Sequence, residues 1–276
     1  CNASILSQTP TIEYVQSGQY SVGNIDPEYA DITSKEDIPV HNYAIVYMGD
    51  YDGGAWVNKF LPTFFNDPKL NEYPLCWPVA TGLMQRVPNA YNFIYSKAGD
   101  NTYFVGSDNG YGYLNAEFML SRNDLLITEN GGYLTQEQVN SLKGSVESYV
   151  AQSLRWYEKA DIDIMGFYIS QWNMDVDKGF IDKISKMTPA GFAYTPGGGG
   201  GTNAVIDGIP CLRMSSGYEE YKPNKDTSVP TFSGLRMVLK SPTFAANYIE
   251  QQERNNNVKI LDPYTFYYLF SLYYGA

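Results

Sequence analysis

Tyr43-Ala44-Ile45-Val46-Tyr47-Met48-Gly49-Asp50-Tyr51-Asp52 opens on six apolar residues and closes on a glycine and two acids. So apolar a run leaves no polar face. It reads as a strand buried on both sides, the kind that helices cover in a parallel sheet. Similar runs follow at Leu75-Cys76-Trp77, Tyr103-Phe104-Val105, Ile164–Ile169, Phe192–Tyr194, Ile209–Met214, Leu235–Leu239 and Val258-Lys259-Ile260-Leu261.

Helical signals stand between these strands. Leu134 to Ala160 carries a capping box at Thr135 and Gln138, a staple of Leu134 with Val139, and an apolar face through Leu142, Val146, Val150, Leu154 and Tyr157. Lys178–Met187 has Phe180, Ile181 and Ile184 on one side. Ser241-Pro242 opens a helix that Asn255 to Asn257 close, and Asp262-Pro263 caps a last one through Tyr273. Alternating strands and helices predict an α/β fold with a mainly parallel sheet. Seven or eight strands in this length suggest an irregular or incomplete (β/α)8 barrel, TIM-barrel-like, over residues 41–276. Residues 1–40 read as an extended N-terminal arm. The active site of such a fold lies at the C-terminal strand ends, where Asp50, Asp52, Trp77, Asp108, Trp172, Tyr194, Tyr218 and Asp262 fall.

Composition narrows the chemistry. The net charge is −11 and the pI about 4.5, which disfavours nucleic acid and anionic membrane surfaces. No apolar run approaches the ~20 residues of a membrane span. Cys1, Cys76 and Cys211 make no disulfide framework, and the latter two read as buried thiols. Cys1 fits either the lipid-bearing cysteine of a surface lipoprotein or a cut in the chain. Gly197–Gly201 lacks the Gly-Lys-Ser/Thr of a phosphate loop and reads as a mobile lid.

His41 is the one histidine. Zinc hydrolysis needs more than one, and no Gly-x-Ser-x-Gly elbow is present for a Ser-His-Asp site. No transition metal and no organic cofactor are therefore expected. Carboxylates remain, and two suffice to hydrolyse a glycosidic bond if one is held protonated and the other ionised. Asp50 and Asp52 are that pair if they face a cleft. They form only a turn if Asp52-Gly53 is read as such, or a calcium or magnesium site if carbonyls join them. Glu117 is the third catalytic candidate, with a solvated helix start as the bland alternative. Glu219-Glu220 reads as solvated loop.

The chain holds 25 tyrosines, 13 phenylalanines and 4 tryptophans. Most must pack the core, but Tyr111, Tyr113, Trp172, Tyr194 and Tyr218 stand beside Gly, Asn or Pro, where rings line clefts. Trp56, Trp77 and Trp172 are candidates to stack on sugars, with Trp156 assigned to the core. The densest such stretch is Asp108-Asn109-Gly110-Tyr111-Gly112-Tyr113-Leu114-Asn115-Ala116-Glu117, directly after the strand at Tyr103. It resembles the signature of the GxGYxYP family, inferred glycoside hydrolases found mostly in gut Bacteroidetes. Gly110, Gly112 and Tyr113 match its core, while Asn115 and Ala116 replace the usual Tyr and Pro. The acidic pair after Tyr47-Met48-Gly49 and the ending Leu261-Asp262-Pro263-Tyr264-Thr265-Phe266 are also similar, so the resemblance runs from about Asn42 onward. It implies a secreted or surface-attached carbohydrate-active protein, with Asp108, Tyr111, Tyr113, Trp77, Trp172 and Tyr194 binding the glycan. A glycan-binding protein without turnover, or a structural domain of a larger polypeptide, are the rival readings.

Overall fold

A computed structural model describes residues 25–49, 54–107, 146–170, 178–196, 201–214 and 217–275. Its centre is a nine-stranded sheet: β1 (Asn42–Tyr47), β2 (Leu75–Val79), β3 (Thr102–Gly106), β4 (Ile164–Ser170), β5 (Gly191–Pro196), β6 (Ala204–Ile206), β7 (Ile209–Arg213), β8 (Thr231–Arg236) and β9 (Val258–Ile260). The order is β6-β7-β5-β4-β3-β2-β1-β8, with β9 pairing the first half of β1. Only β6 runs antiparallel, against β7. The mainly parallel α/β sheet expected from the sequence is therefore present, and all six residues of β1 are buried. The chain departs from that expectation at β6, a three-residue strand too short to show periodicity, and at β8, which starts earlier than Leu235.

Helices α1 (Gly54–Lys59), α2 (Leu61–Phe64), α3 (Thr81–Met84), α4 (Pro88–Lys97), α5 (Val146–Ala160), α6 (Lys178–Ile184) and α7 (Pro242–Asn256) belong to one side of the sheet, and α8 (Pro263–Tyr274) to the other. Local chemistry sets their ends. Ser241 Oγ accepts the Phe244 amide at 3.1 Å, and Asn257 closes α7 in the left-handed region at φ 50°. Asp262 accepts the amides of Tyr264 and Thr265 at 2.9 and 3.0 Å, which starts α8. Within the expected Leu134–Ala160 helix, the described part is α5, whose buried face carries Val146, Tyr149, Val150, Tyr157 and Ala160. The capping box at Thr135 lies outside the described residues.

Strand alternation divides the core in two. Ala44, Val46, Trp77, Phe104, Tyr168, Phe192 and Tyr194 pack under the outer helices, whereas Tyr43, Ile45, Tyr47, Cys76, Val105, Leu212 and Phe232 form a second cluster with α8. The sheet is strongly curled around that second cluster. A side chain added at Gly166 of β4 would come within 3.1 Å of Tyr47, although two strands separate β4 from β1 in the ladder. Among the described residues no backbone ladder joins β8, one end of that order, to β6 at the other end or to β7. There the Asn203 amide spans the seam, accepting from Arg213 N at 2.9 Å and donating to Phe232 O at 3.1 Å.

The N-terminal strand ends are plugged. Phe266, Tyr267, Leu269 and Phe270 of α8 are buried, with Phe266 and Phe270 edge-on to Phe232 and Tyr267 where a side chain at Gly191 would stand. Each such side chain contributes roughly 1.5–3 kcal/mol by burial. The described end of the arm adds to this plug. Tyr29 and Ile38 are buried, Asp26 N donates to Thr265 Oγ1 at 2.8 Å, and Tyr268 Oη donates to Ile32 O. Among the described residues no helix is long and apolar enough to cross a membrane.

Candidate functional site

With the N-terminal end plugged, the candidate mouth is the opposite edge, at the C-terminal strand ends. Parallel sheets bind ligands there whether the sheet is open or closed. The residues that reach this edge on the enclosed face follow from alternation and register. Gly49 continues the face of Tyr43, Ile45 and Tyr47 on β1. Ser107 continues that of Val105 on β3, and Arg236 that of Phe232 and Gly234 on β8.

Arg236 crosses from β8 to the exit of β1. A side chain at Gly49 would meet Arg236 Cγ at 3.3 Å and Tyr47 Cε1 at 3.2 Å, so glycine is what lets the guanidinium lie over the strand end. Gly49 N donates to Met237 O at 3.0 Å, which fixes that neighbourhood. Ser107 is 1% exposed, and its Oγ has no hydrogen-bond partner among the described residues. A buried hydroxyl left in that condition is uncommon.

The carboxyls that burial pushes above their ordinary range lie elsewhere. Asp163 and Asp161 precede β4, Asp262 follows β9, and Glu253 stands in the last turns of α7. All four belong to the plugged end. Asp163 illustrates the cause: it is 9% exposed, and its Oδ1 accepts from Tyr264 Oη at 2.7 Å while Oδ2 is buried without a partner. Asp262 spends its oxygens on the α8 amides, so capping accounts for it.

Trp77 and Tyr194 are not cleft residues. Tyr47 pairs with Cys76 across β1 and β2, so Cys76 shares the enclosed face and Trp77 points the other way. The indole is 1% exposed, with the Phe65 ring 4.7 Å from it. Tyr194 is also 1% exposed. Its hydroxyl donates to Thr202 O at 2.7 Å and accepts from Thr202 N at 3.0 Å, anchoring the chain just past the glycine run. Both rings are covered, and a covered ring offers no face to a sugar. His41 sits at the opposite edge, its Nδ1 2.6 Å from Asn257 Oδ1. Cys76 and Cys211 are buried as expected, and burial pushes the Cys211 thiol up to about 12. Among the described residues no group of three His, Cys, Asp or Glu side chains is placed to hold a metal ion.

The model of the family described as "GxGYxYP putative glycoside hydrolase C-terminal domain" matches residues 41–270. The chain belongs to this family. A crystal structure of "a putative hydrolase" from Bacteroides thetaiotaomicron VPI-5482 is similar in fold, with a TM-score of 0.61 at 15% identity. The likeness covers 95% of this chain and 49% of that one, so the chain spans about half the length of that hydrolase. A search of curated proteins finds no match.

The GxGYxYP signature, from Asp108 through Tyr111 and Tyr113 to Glu117, lies outside the described residues, as do Asp50, Asp52 and Trp172. Its N-terminal flank is described. The chain passes into the signature from Ser107, and into the segment of Asp50 and Asp52 from Gly49 at the same edge. Sequence reading passed over Arg236 and Ser107. The available signal was the two-residue alternation counted back from Phe232 and from Val105.

Proposed function

We propose that this member of the GxGYxYP family hydrolyses a glycosidic bond with two carboxylates at the C-terminal edge of the sheet. The observation that carries the reading is the common exit of β1 and β3. Gly49 and Ser107 both lie on the enclosed face of that edge, and consecutive Cα atoms are only about 3.8 Å apart. Asp50 and Asp108 are the next residues in the chain, which supports the reading.

Asp50 and Asp52 are the proposed acid and base, with Glu117 as the third carboxylate able to take either part. The Arg236 guanidinium over Gly49 favours the ionised form of the nearest carboxyl. Its neighbour, sharing the same sign of charge, then holds its proton for the leaving oxygen. Asp108, Tyr111, Tyr113 and Trp172 line the glycan. We read the curled sheet as an irregular barrel whose β7–β8 seam is bridged by Asn203 rather than by backbone pairing.

The test is Asp52→Asn on a broad panel of glycans. The amide keeps shape and loses charge, so turnover should fall about 10²–10⁴-fold while glycan affinity stays near wild type. EDTA should leave wild-type turnover intact. Loss restored by calcium would instead make Asp50 and Asp52 cation ligands. A wild-type protein that binds glycans and cleaves none across the panel would replace hydrolysis with glycan binding.

A further inference from the structure

Tyr47 and Arg236 are direct partners in the parallel ladder of β1 and β8. Partners in such a ladder project to the same side, so the ring and the guanidinium share the enclosed face. Their backbone is paired beyond the strands themselves. Met237 N donates to Tyr47 O at 2.8 Å, Gly49 N to Met237 O at 3.0 Å and Leu239 N to Gly49 O at 3.4 Å. What freedom remains belongs to the side chains.

The tyrosine has little of it. Its ring is 2% exposed and reaches from its own strand toward β4. Tyr47 Cε1 comes within 3.2 Å of where a Gly49 side chain would stand, and Cε2 within 3.1 Å of the matching position at Gly166. Glycine on both strands leaves room for the outer end of the ring, and Val105 fills the rest of the space over Gly166. Arg236 Cγ and Nε lie 3.3 and 3.4 Å from the same Gly49 position that Cε1 approaches. A buried ring and a half-buried arginine therefore meet at one spot. A long arginine side chain samples many rotamers unless a flat surface packs against it. An aromatic ring does this well, because the guanidinium is planar and weakly hydrated.

We infer that Tyr47 is a positioning residue, whose ring holds the Arg236 guanidinium at the exit of β1 and so fixes the charge that the proposed reaction uses there. Its chemical consequence rests on the glycoside-hydrolase reading given above, whereas the contact stands on the ladder and the two glycines. A guanidinium held in one place keeps the carboxyl nearest it ionised to lower pH than one that swings into solvent. Loss of the ring removes that hold while every carboxyl stays in the chain.

Two measurements on the full chain test this. The Arg236 Nε–H resonance, assigned by its loss in Arg236→Lys, reports whether the side chain is held and needs no turnover. The pH profile of glycan hydrolysis reports the carboxyl. Tyr47→Leu should move the resonance toward that of a solvated arginine and speed its exchange with water roughly tenfold. It should also shift the acid limb of the profile up by about one pH unit and lower turnover roughly 10- to 100-fold. Gly49→Ala, which puts a methyl group at the shared spot, should act in the same direction and serves if Tyr47→Leu fails to fold. Tyr47→Phe keeps the ring and should restore both readouts. Tyr43→Leu, on the same face toward the plugged end, should lower the denaturation midpoint and move neither. A resonance unmoved by Tyr47→Leu and Gly49→Ala, an acid limb unmoved in a protein that cleaves, or equal shifts from Tyr43→Leu would each overturn the assignment. A resonance shifted as expected, in a protein whose wild type cleaves no glycan, would uphold the contact and remove hydrolysis. Cleavage with an indifferent resonance would keep hydrolysis and strike Tyr47 alone.

Discussion

The two ends of the sheet are built from similar residue types put to opposite uses. At the N-terminal end aromatic rings, Tyr29, Phe232, Phe266 and Phe270, are buried edge to face, and carboxyls such as Asp163 and Asp262 are bound to a hydroxyl or to helix amides. At the C-terminal end the aromatics Trp56 and Phe244 are exposed, and an arginine lies across the exit of β1. Of the carboxyls pushed up by burial at the plugged end, Asp163 is bound to Tyr264 and Asp262 to the α8 amides, so structure accounts for both. The contrast teaches that a shifted acid marks a site only where a ligand has access.

The sharpest way to break this contrast is to alter one residue of the core and one of the proposed site. Trp77→Ala removes a fully covered indole and should cost about 3–5 kcal/mol of stability, read as a lowered denaturation midpoint with unchanged glycan affinity in the folded fraction. If Trp77→Ala instead weakened glycan binding with little change in stability, the assignment of that ring to the core would fail. Asp52→Asn should show the opposite pattern, its midpoint within about 0.5 kcal/mol of wild type.

Asp163 sharpens the same comparison through pH. Burial raises its folded pKa above the unfolded value, so the native state holds the proton more tightly. Its contribution is fully present below the unfolded value near 4 and is lost as pH rises through the folded one. The Asp163 contribution to the thermal midpoint should therefore fall as pH rises above about 4, and Asp163→Asn, which keeps an acceptor for Tyr264, should flatten that fall. A variant with the wild-type slope would show that Asp163 titrates as an exposed acid does. The smallest effect belongs to a cap: Ser241→Ala should cost about 1 kcal/mol, with no change in glycan binding measured beside the denaturation curve.

Much of the fold was legible in the chain. Tyr43–Met48 is a strand because its apolar run permits burial on both faces, and Ser241-Pro242 and Asp262-Pro263 begin helices because a side-chain oxygen three or fewer residues away can satisfy their first amides. These are local effects, decided within a few bonds. The side to which each strand residue points was harder to read. Trp77 and Tyr194 were expected in a cleft and are buried under helices, because β1 and β2 pair Tyr47 with Cys76 and β5 and β7 pair Tyr194 with Arg213. In a run that is apolar throughout, no polar residue reports the face.

By itself, then, the sequence determined the parallel α/β class, the helix caps, the acidic charge and the likeness to the GxGYxYP family. Only the tertiary structure decided which of the described tryptophans is exposed, that α8 seals one end, that Asn203 spans the seam, and that Arg236 and Ser107 stand at the C-terminal edge. Those outcomes depend on register between strands far apart in the chain, such as β1 with β8, whose partners lie almost 200 residues away in sequence. Capping and hydrophobic periodicity act over one helical turn or one pleat. Register is settled by the packing of whole faces, a sum that no short stretch of residues contains.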